Sequence, residues 1–276
     1  MKLGVRAHDF GRQSAESLAS AVKAAGFDCV QLAPAKALTG VESFEAINGD
    51  VLEDIHKAFV KNDVEITVLG CYIEPSLLDN ERRLANVETF KNNLTHAKRL
   101  GVSIVGTETT GMDIKTPAGE RDKVYQILKD SVLRMVEHAE KEQVYVGIEP
   151  VAEHTLNTPE LTRRLLDEVN SEYLKIIFDP VNLILPDTMK YQVQIFNEVF
   201  HLLGNDIAAV HVKDIVIENG QKAWRNIGLG EVDYDLIMGW LKQNKPDIHL
   251  LREDVKMDSY KLDRDNMARQ SFYQND

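Results

Sequence analysis

Eight short apolar runs, each followed by a stretch of helical periodicity, do most to limit how this chain can fold. The runs are apolar throughout and do not alternate with polar residues, as expected of parallel strands covered on both faces. In chain order they are Leu3–Ala7, CVQLA at 29–33, EITVLGCY at 65–72, VSIVGTE at 102–108, VYVGIEPV at 144–151, LKIIFD at 174–179, IAAVHV at 207–212 and HLLRE at 249–253. Helices are expected over Ser14–Ala25, ended by Gly26, then near Asp50–Asn62 and over Glu81–Leu100, ended by Gly101. Others follow over Glu120–Glu142, Thr158–Val169, Lys190–Leu203, Tyr234–Gln243 and Ser259–Tyr273. In the third of these, positions 84, 87, 94, 97 and 100 are apolar, a 3.6-residue spacing. Thr158-Pro159 places an N-cap and a first-turn proline. The stretch from Pro34 to Asn48 and the polar segment Asp214–Gly230 read as loops.

Eight strands alternating with helices over 276 residues, with no linker, repeat or low-complexity tract, predict an α/β protein. The most economical architecture is a single (β/α)8 TIM barrel forming one domain over residues 1–276. An open doubly wound sheet is the competing architecture. Its nucleotide site would have to be Gly106-Thr-Glu-Thr-Thr-Gly111, whose glycine spacing is wrong.

Four of the runs carry, at or near their C-terminal ends, a side chain that can bind a metal: Glu149, Asp179, His211 and Glu253. A barrel gathers its strand C-termini at one mouth, so these four become neighbours. Three converging carboxylates without a cation would repel and raise one another's pKa. A divalent ion removes that difficulty. Mixed oxygen and imidazole ligation suits Mn, Mg or Co, with Zn or Fe also compatible, and four protein ligands leave two positions of an octahedron open. Taken singly, an acidic residue at a strand end is more often a helix cap or loop anchor; the weight lies in four consecutive ends.

Gly147-Ile-Glu149-Pro, Phe178-Asp179-Pro-Val-Asn182, Val210-His211-Val-Lys213-Asp214, Gly228-Leu-Gly230-Glu-Val-Asp233 and the final Glu253 carry a family resemblance. The chain resembles the xylose-isomerase-like sugar isomerase/epimerase superfamily, the TIM barrels of the AP endonuclease family 2 type. That superfamily includes ketose 3-epimerases, inosose isomerases and dehydratases, and endonuclease IV-type enzymes. The motifs cover the C-terminal half strongly and the N-terminal half only through the strand–helix rhythm. The resemblance implies that Glu149, Asp179, His211 and Glu253 hold one divalent metal ion, with Glu149 and Glu253 as the acid/base pair. It implies a sugar isomerase or epimerase acting on a ketose or related polyol ketone through a metal-bound enediolate. Proton removal on one face and return on the other inverts a carbon; one glutamate doing both isomerises. Two other readings stay open: an inosose-type dehydratase, and a non-catalytic carbohydrate-binding barrel that keeps the fold.

Where many members have a histidine three residues after the strand-six aspartate, this chain has Asn182, which can still hydrogen-bond a hydroxyl. Ile215–Gly230 contains no histidine of the kind endonuclease IV-type enzymes use. With the net charge of −12, that argues against a nucleic-acid partner. Substrate-side candidates are His154, five residues past Glu149; Lys213, turned inward with His211 by strand alternation; Arg6 and His8 at the first strand end; Glu108 at the fourth; and Trp224 and Arg225 in the long segment. Asp214 reads as a loop cap and the Gly228–Gly230 turn as scaffolding. His56, His96, His138 and His201 fall on helices and read as structural.

Cys29 and Cys71 sit inside apolar runs and read as buried free thiols of a reducing compartment. The N-terminus lacks the ~7–15-residue apolar region of a signal peptide, and no apolar run approaches the ~20 residues of a membrane helix. A cytoplasmic enzyme without a membrane partner is the expectation. The resemblance also makes a homodimer plausible, although no local sequence feature marks an interface.

Overall fold

The computed structural model describes Met1–Ser271. Its elements are β1 (Lys2–Arg6), α1 (Ala15–Ala24), β2 (Cys29–Leu32), α2 (Pro34–Ala37), α3 (Gly49–Lys61), β3 (Glu65–Gly70), α4 (Asn80–Leu100), β4 (Ile104–Glu108) and α5 (Ala118–Glu142). They continue with β5 (Tyr145–Glu149), α6 (Pro159–Val169), β6 (Leu174–Phe178), α7 (Gln192–Leu203), β7 (Ile207–Val212), β8 (Asp214–Glu218), β9 (Gln221–Arg225), α8 (Tyr234–Asn244), β10 (His249–Arg252) and α9 (Tyr260–Ser271). Eight parallel strands close in the order β1-β10-β7-β6-β5-β4-β3-β2, so the (β/α)8 barrel expected from the sequence is the fold.

Helix ends follow the local chemistry. Ser14, Asn48, Asp79 and Thr158 each cap an N-terminus with a side-chain oxygen that accepts a backbone N–H. Gly101 closes α4 in the left-handed region. A large core lies between the barrel and its helices. A second, small cluster of Cys29, Val68, Ile104, Ile177, Ala209 and Leu251 fills the barrel itself. Glycines complete that inner packing. A Cβ on Gly106 would come within 2.6 Å of Ile177 Cδ1, and one on Gly147 within 2.9 Å of Ile104.

That interior determines where the site lies. Side chains on a strand return to the same face every second residue. Two residues beyond Gly4, Cys29, Gly106, Gly147, Ile177, Ala209 and Leu251 stand Arg6, Gln31, Glu108, Glu149, Asp179, His211 and Glu253. The apolar interior is therefore capped, one layer up at the C-terminal mouth, by a ring of polar side chains.

Two segments differ from the sequence expectation. The stretch after β2 contains the short helix α2, entered through Pro34. The segment 214–230 is not all loop: β8 and β9 pair antiparallel, with Ile215 opposite Trp224. Asn219 and Gly220 make the turn, both with positive φ (51° and 73°), as a two-residue hairpin of the I′ kind requires. The Asn-Gly dipeptide was the signal; its flanking charges and short strands hid it. The last two residues of the expected closing helix, 272 and 273, lie outside the described residues. Cys29 and Cys71 are buried and free.

Candidate functional site

Strand order makes β5, β6, β7 and β10 consecutive, and register sets their ends side by side. Phe178 pairs with Val210 and Leu251 with His211, so Asp179 and Glu253 flank His211. Glu149, Asp179, His211 and Glu253 are all buried, each at most 5% exposed. His211 Nδ1 lies 3.1 Å from Glu149 Oε2, 3.3 Å from Glu253 Oε1 and 4.0 Å from Asp179 Oδ2.

The remaining carboxylate oxygens are held elsewhere. Asn182 Nδ2 donates to Glu149 Oε1. The backbone N–H groups of Val181 and Asn182 donate to Asp179 Oδ1 at 2.9 and 3.0 Å. Lys213 Nζ donates to Glu253 Oε2 at 3.0 Å, and Arg6 Nη1 stands 3.4 Å from the same oxygen. Each carboxylate thus has one oxygen pinned by protein donors and turns the other toward His211 Nδ1.

His211 Nδ1 is buried without a hydrogen-bond partner. Asp179 Oδ2 makes no hydrogen bond either and has the Lys213 ammonium 2.7 Å away as an ion-pair partner. A nitrogen lone pair and three carboxylate oxygens, desolvated and converging, form a donor set suited to a divalent cation. One ligand atom each from Glu149, Asp179 and His211 lies within 4.8 Å of the others. Without such an ion, burial disfavours a charged His211, but the Glu253 and Glu149 carboxylates outweigh burial and raise its pKa to about 9. Burial also works against an ionised Glu253, yet His211, Lys213 and Arg6 hold its carboxyl well below the ordinary range.

The other sequence candidates fall into distinct places. Asn182 and Lys213 contact the cluster directly. Lys213 is buried, with Tyr234 Oη donating to its carbonyl at 2.7 Å and accepting from its N–H at 3.0 Å. Glu108 neighbours Glu149 in register; burial and then the Glu149 charge push its carboxyl pKa up, against His154. His154 Nδ1 is 3.8 Å from Glu108 Oε2. Trp224 is half-exposed on the hairpin, its ring centroid 5.8 Å from Lys213 Nζ.

Arg6 and Arg225 have less freedom than substrate binding would want. Asp9, Asp254 and Glu253 surround the Arg6 guanidinium, at 2.8, 2.6 and 3.4 Å. Arg6 therefore clamps the loop after β10, where Asp254 takes the left-handed conformation (φ 58°). Arg225 is bonded across the hairpin to Glu218 and to the Trp224 carbonyl. Asp214 is a cap: its carboxylate accepts the N–H groups of Ile215, Gly228, Gly230 and Val232. A Cβ on Gly230 would lie 2.1 Å from Asp214 Oδ1, so that glycine is needed for close approach.

His8 lies at the rim, its ring edge-on to Tyr72 at 6.3 Å. Burial first, then the charges of Arg6 and Lys36, lower its pKa to about 4. Between an unfolded value near ~6.5 and that folded value of about 4, the unfolded chain binds a proton that the folded one refuses. Stability should therefore fall as pH drops through that window and show no contribution from His8 above it. We expect His8→Gln to flatten this part of the stability curve of metal-free protein by roughly 1–3 kcal/mol. Urea titrations of both proteins at pH 7 and pH 4.5 check it; parallel curves would refute the assignment.

Sequence reasoning missed Gln31. It is 2% exposed and sits in the same polar ring, its Oε1 2.7 Å from His211 Nε2. One polar residue inside the apolar run CVQLA, two beyond Cys29, was the available signal.

Comparison with known proteins adds the following. A family model described as a xylose isomerase-like TIM barrel matches residues 19–271. No curated protein matches the chain in sequence. Among solved structures, a D-tagatose 3-epimerase-like protein superposes with a TM-score of 0.79 at 16% identity, over 98% of this chain and 97% of that one. The 3-keto-D-glucoside 4-epimerase YcjR from E. coli gives 0.75 at 17% identity, over 98% of both chains. An IOLI protein with a bound zinc atom gives 0.74 at 17% identity, over 99% of both. At these identities the likeness is one of fold. Among the described residues no helix is long and apolar enough to cross a membrane.

Proposed function

The chain belongs to the xylose isomerase-like TIM barrel family, and from that premise we propose that it is a divalent-metal-dependent epimerase or isomerase of a ketose or related polyol ketone. One observation carries this reading: Glu149, Asp179 and Glu253 each turn one oxygen toward a buried, unpartnered His211 Nδ1, and among the described residues only the Asp179 oxygen of these three has another protein cation beside it, Lys213. The substrate class is supported by the family and by the epimerases named among the similar structures.

A divalent cation held by Glu149, Asp179, His211 and Glu253 would supply Lewis-acid polarisation of a carbonyl and stabilise the charge that develops beside it. The chain's own groups do the rest. Glu149 and Glu253 rise from strands separated in the barrel by β6 and β7. From there they can address two faces of a planar enediolate, one removing the α-proton and the other returning it. Asn182 and Lys213, already bonded to those two carboxylates, orient them and offer donors to adjacent hydroxyl oxygens. His154, Glu108 and Trp224 line the approach as substrate-side groups.

Two measurements test this. Elemental analysis should find about one divalent ion per wild-type chain, lost in Asp179→Asn. Loss should exceed the ~10–100-fold that removing an outer-shell partner of a ligand costs in affinity. Candidate ketoses in D2O should then gain deuterium at the α-carbon with product otherwise unchanged in mass. Loss of water would assign a dehydratase. Protein that stays empty in added Mn2+ and Mg2+, with an unmoved melting temperature, would end the proposal.

A further inference from the structure

We infer that Gln31 is a positioning residue for the metal ligand His211: it holds the imidazole proton on Nε2 and so keeps Nδ1 available to the cation. The inference rests on the metal reading above and adds a residue from the opposite half of the barrel, 180 positions away in sequence.

The His211 ring has two nitrogens and only one can face the carboxylates. Nδ1 does, with Glu149 and Glu253 oxygens at 3.1 and 3.3 Å. Nε2 points the other way, to Gln31 Oε1 at 2.7 Å. The imidazolium carries protons on both nitrogens. The neutral, metal-binding ring must lose the one on Nδ1, because a ligand nitrogen needs its lone pair. In both states Nε2 keeps its proton, and an acceptor is required opposite it.

An amide can present either its oxygen or its nitrogen, so Gln31 must itself be oriented. Its Nε2 donates to Tyr72 Oη at 2.8 Å. Tyr72 is fixed in turn. Its ring has Lys36 Nζ 3.6 Å from the centroid on one side and His8 edge-on. Burial drives its pKa up, so the phenol stays neutral and can accept. The chain Tyr72–Gln31–His211 therefore sets ring plane and tautomer before any ion arrives. Glutamine serves here because it is neutral: a layer that already holds Glu108, Glu149, Asp179 and Glu253 gains an acceptor without a fifth negative charge.

The test compares Gln31→Met, which keeps length and apolar bulk but removes the acceptor, with Gln31→Glu, which keeps an acceptor oxygen. Mn2+ affinity by calorimetry should fall ~10–100-fold in Gln31→Met and be recovered in Gln31→Glu, with both metal-free variants folded by circular dichroism. Nitrogen-15 spectra of Zn2+-loaded wild type, assigned with His211→Asn, should show His211 protonated at Nε2 and metal-bound at Nδ1. Metal on Nε2 would overturn the inference even if the methionine variant does not fold. So would Mn2+ binding by Gln31→Met at wild-type strength, and that result would leave the metal site itself standing. A wild-type protein that binds no divalent ion would remove both.

Discussion

Glu149→Gln and Glu253→Gln are each expected to lower epimerisation by roughly 100- to 10,000-fold, the range that a positioned acid or base contributes. The two losses should differ in kind. If two carboxylates serve the two faces, each single variant keeps one base. It should still exchange the α-proton of one epimer with D2O while failing to invert it. Exchange without inversion, from opposite epimers in the two variants, is the expected pair of results. If one variant loses both exchange and turnover while the other keeps both, a single glutamate does the work and isomerisation is the better reading. Metal content must be measured alongside, because both side chains also face His211 Nδ1. Asn182 complicates only the first variant. Its amide donates to Glu149 Oε1, and a glutamine there can meet it with its own oxygen, so that variant should retain its position.

The second large effect concerns stability. Arg252 and Asp263 form a buried ion pair at 3.0 Å, 4% and 0% exposed. Asp263 also accepts from the Ile227 N–H at 2.8 Å and from Asn226 Nδ2 at 3.0 Å, so one carboxylate ties α9 to β10 and to the loop after the hairpin. Asp263→Ala leaves a buried guanidinium uncompensated and should cost roughly 3–5 kcal/mol. At about 2–4 °C per kcal/mol for a chain of this size, the melting temperature should drop by roughly 10 °C. The double variant Arg252→Met, Asp263→Leu should be less destabilised than Asp263→Ala alone, because burying two apolar groups is cheaper than burying one unpaired charge. Equal or additive losses in thermal melts would show that the pair contributes little beyond its packing.

The two halves of the site differ in how far a linear reading reaches. Strand runs ending in Glu149, Asp179, His211 and Glu253 are local patterns, and a closed parallel barrel turns equal positions on successive strands into neighbours. The strand-to-strand identity of that layer, including Arg6 and Glu108, follows from two-residue periodicity alone. Gln31 obeys the same periodicity but carries no charge and no metal chemistry of its own, so nothing in its immediate sequence distinguishes it from a polar residue tolerated in a strand. The hairpin at 214–225 was missed for another reason. Its pairing depends on a two-residue Asn-Gly turn, while its strands are short, half-buried and interrupted by charge.

By itself the sequence determined the strand–helix rhythm, the closed barrel it implies, and which residue types stand at each strand end. These follow from short-range periodicity and from the burial of parallel strands on both faces. Only the tertiary structure decided how each group is employed. It showed that Arg6 is engaged by three carboxylates, that Arg225 is held within its hairpin, and that Asn182, backbone amides and Lys213 pin one oxygen of each carboxylate. Those roles depend on donors that approach from distant strands and loops within ~3 Å, a distance at which hydrogen-bond geometry, not residue type, selects the partner.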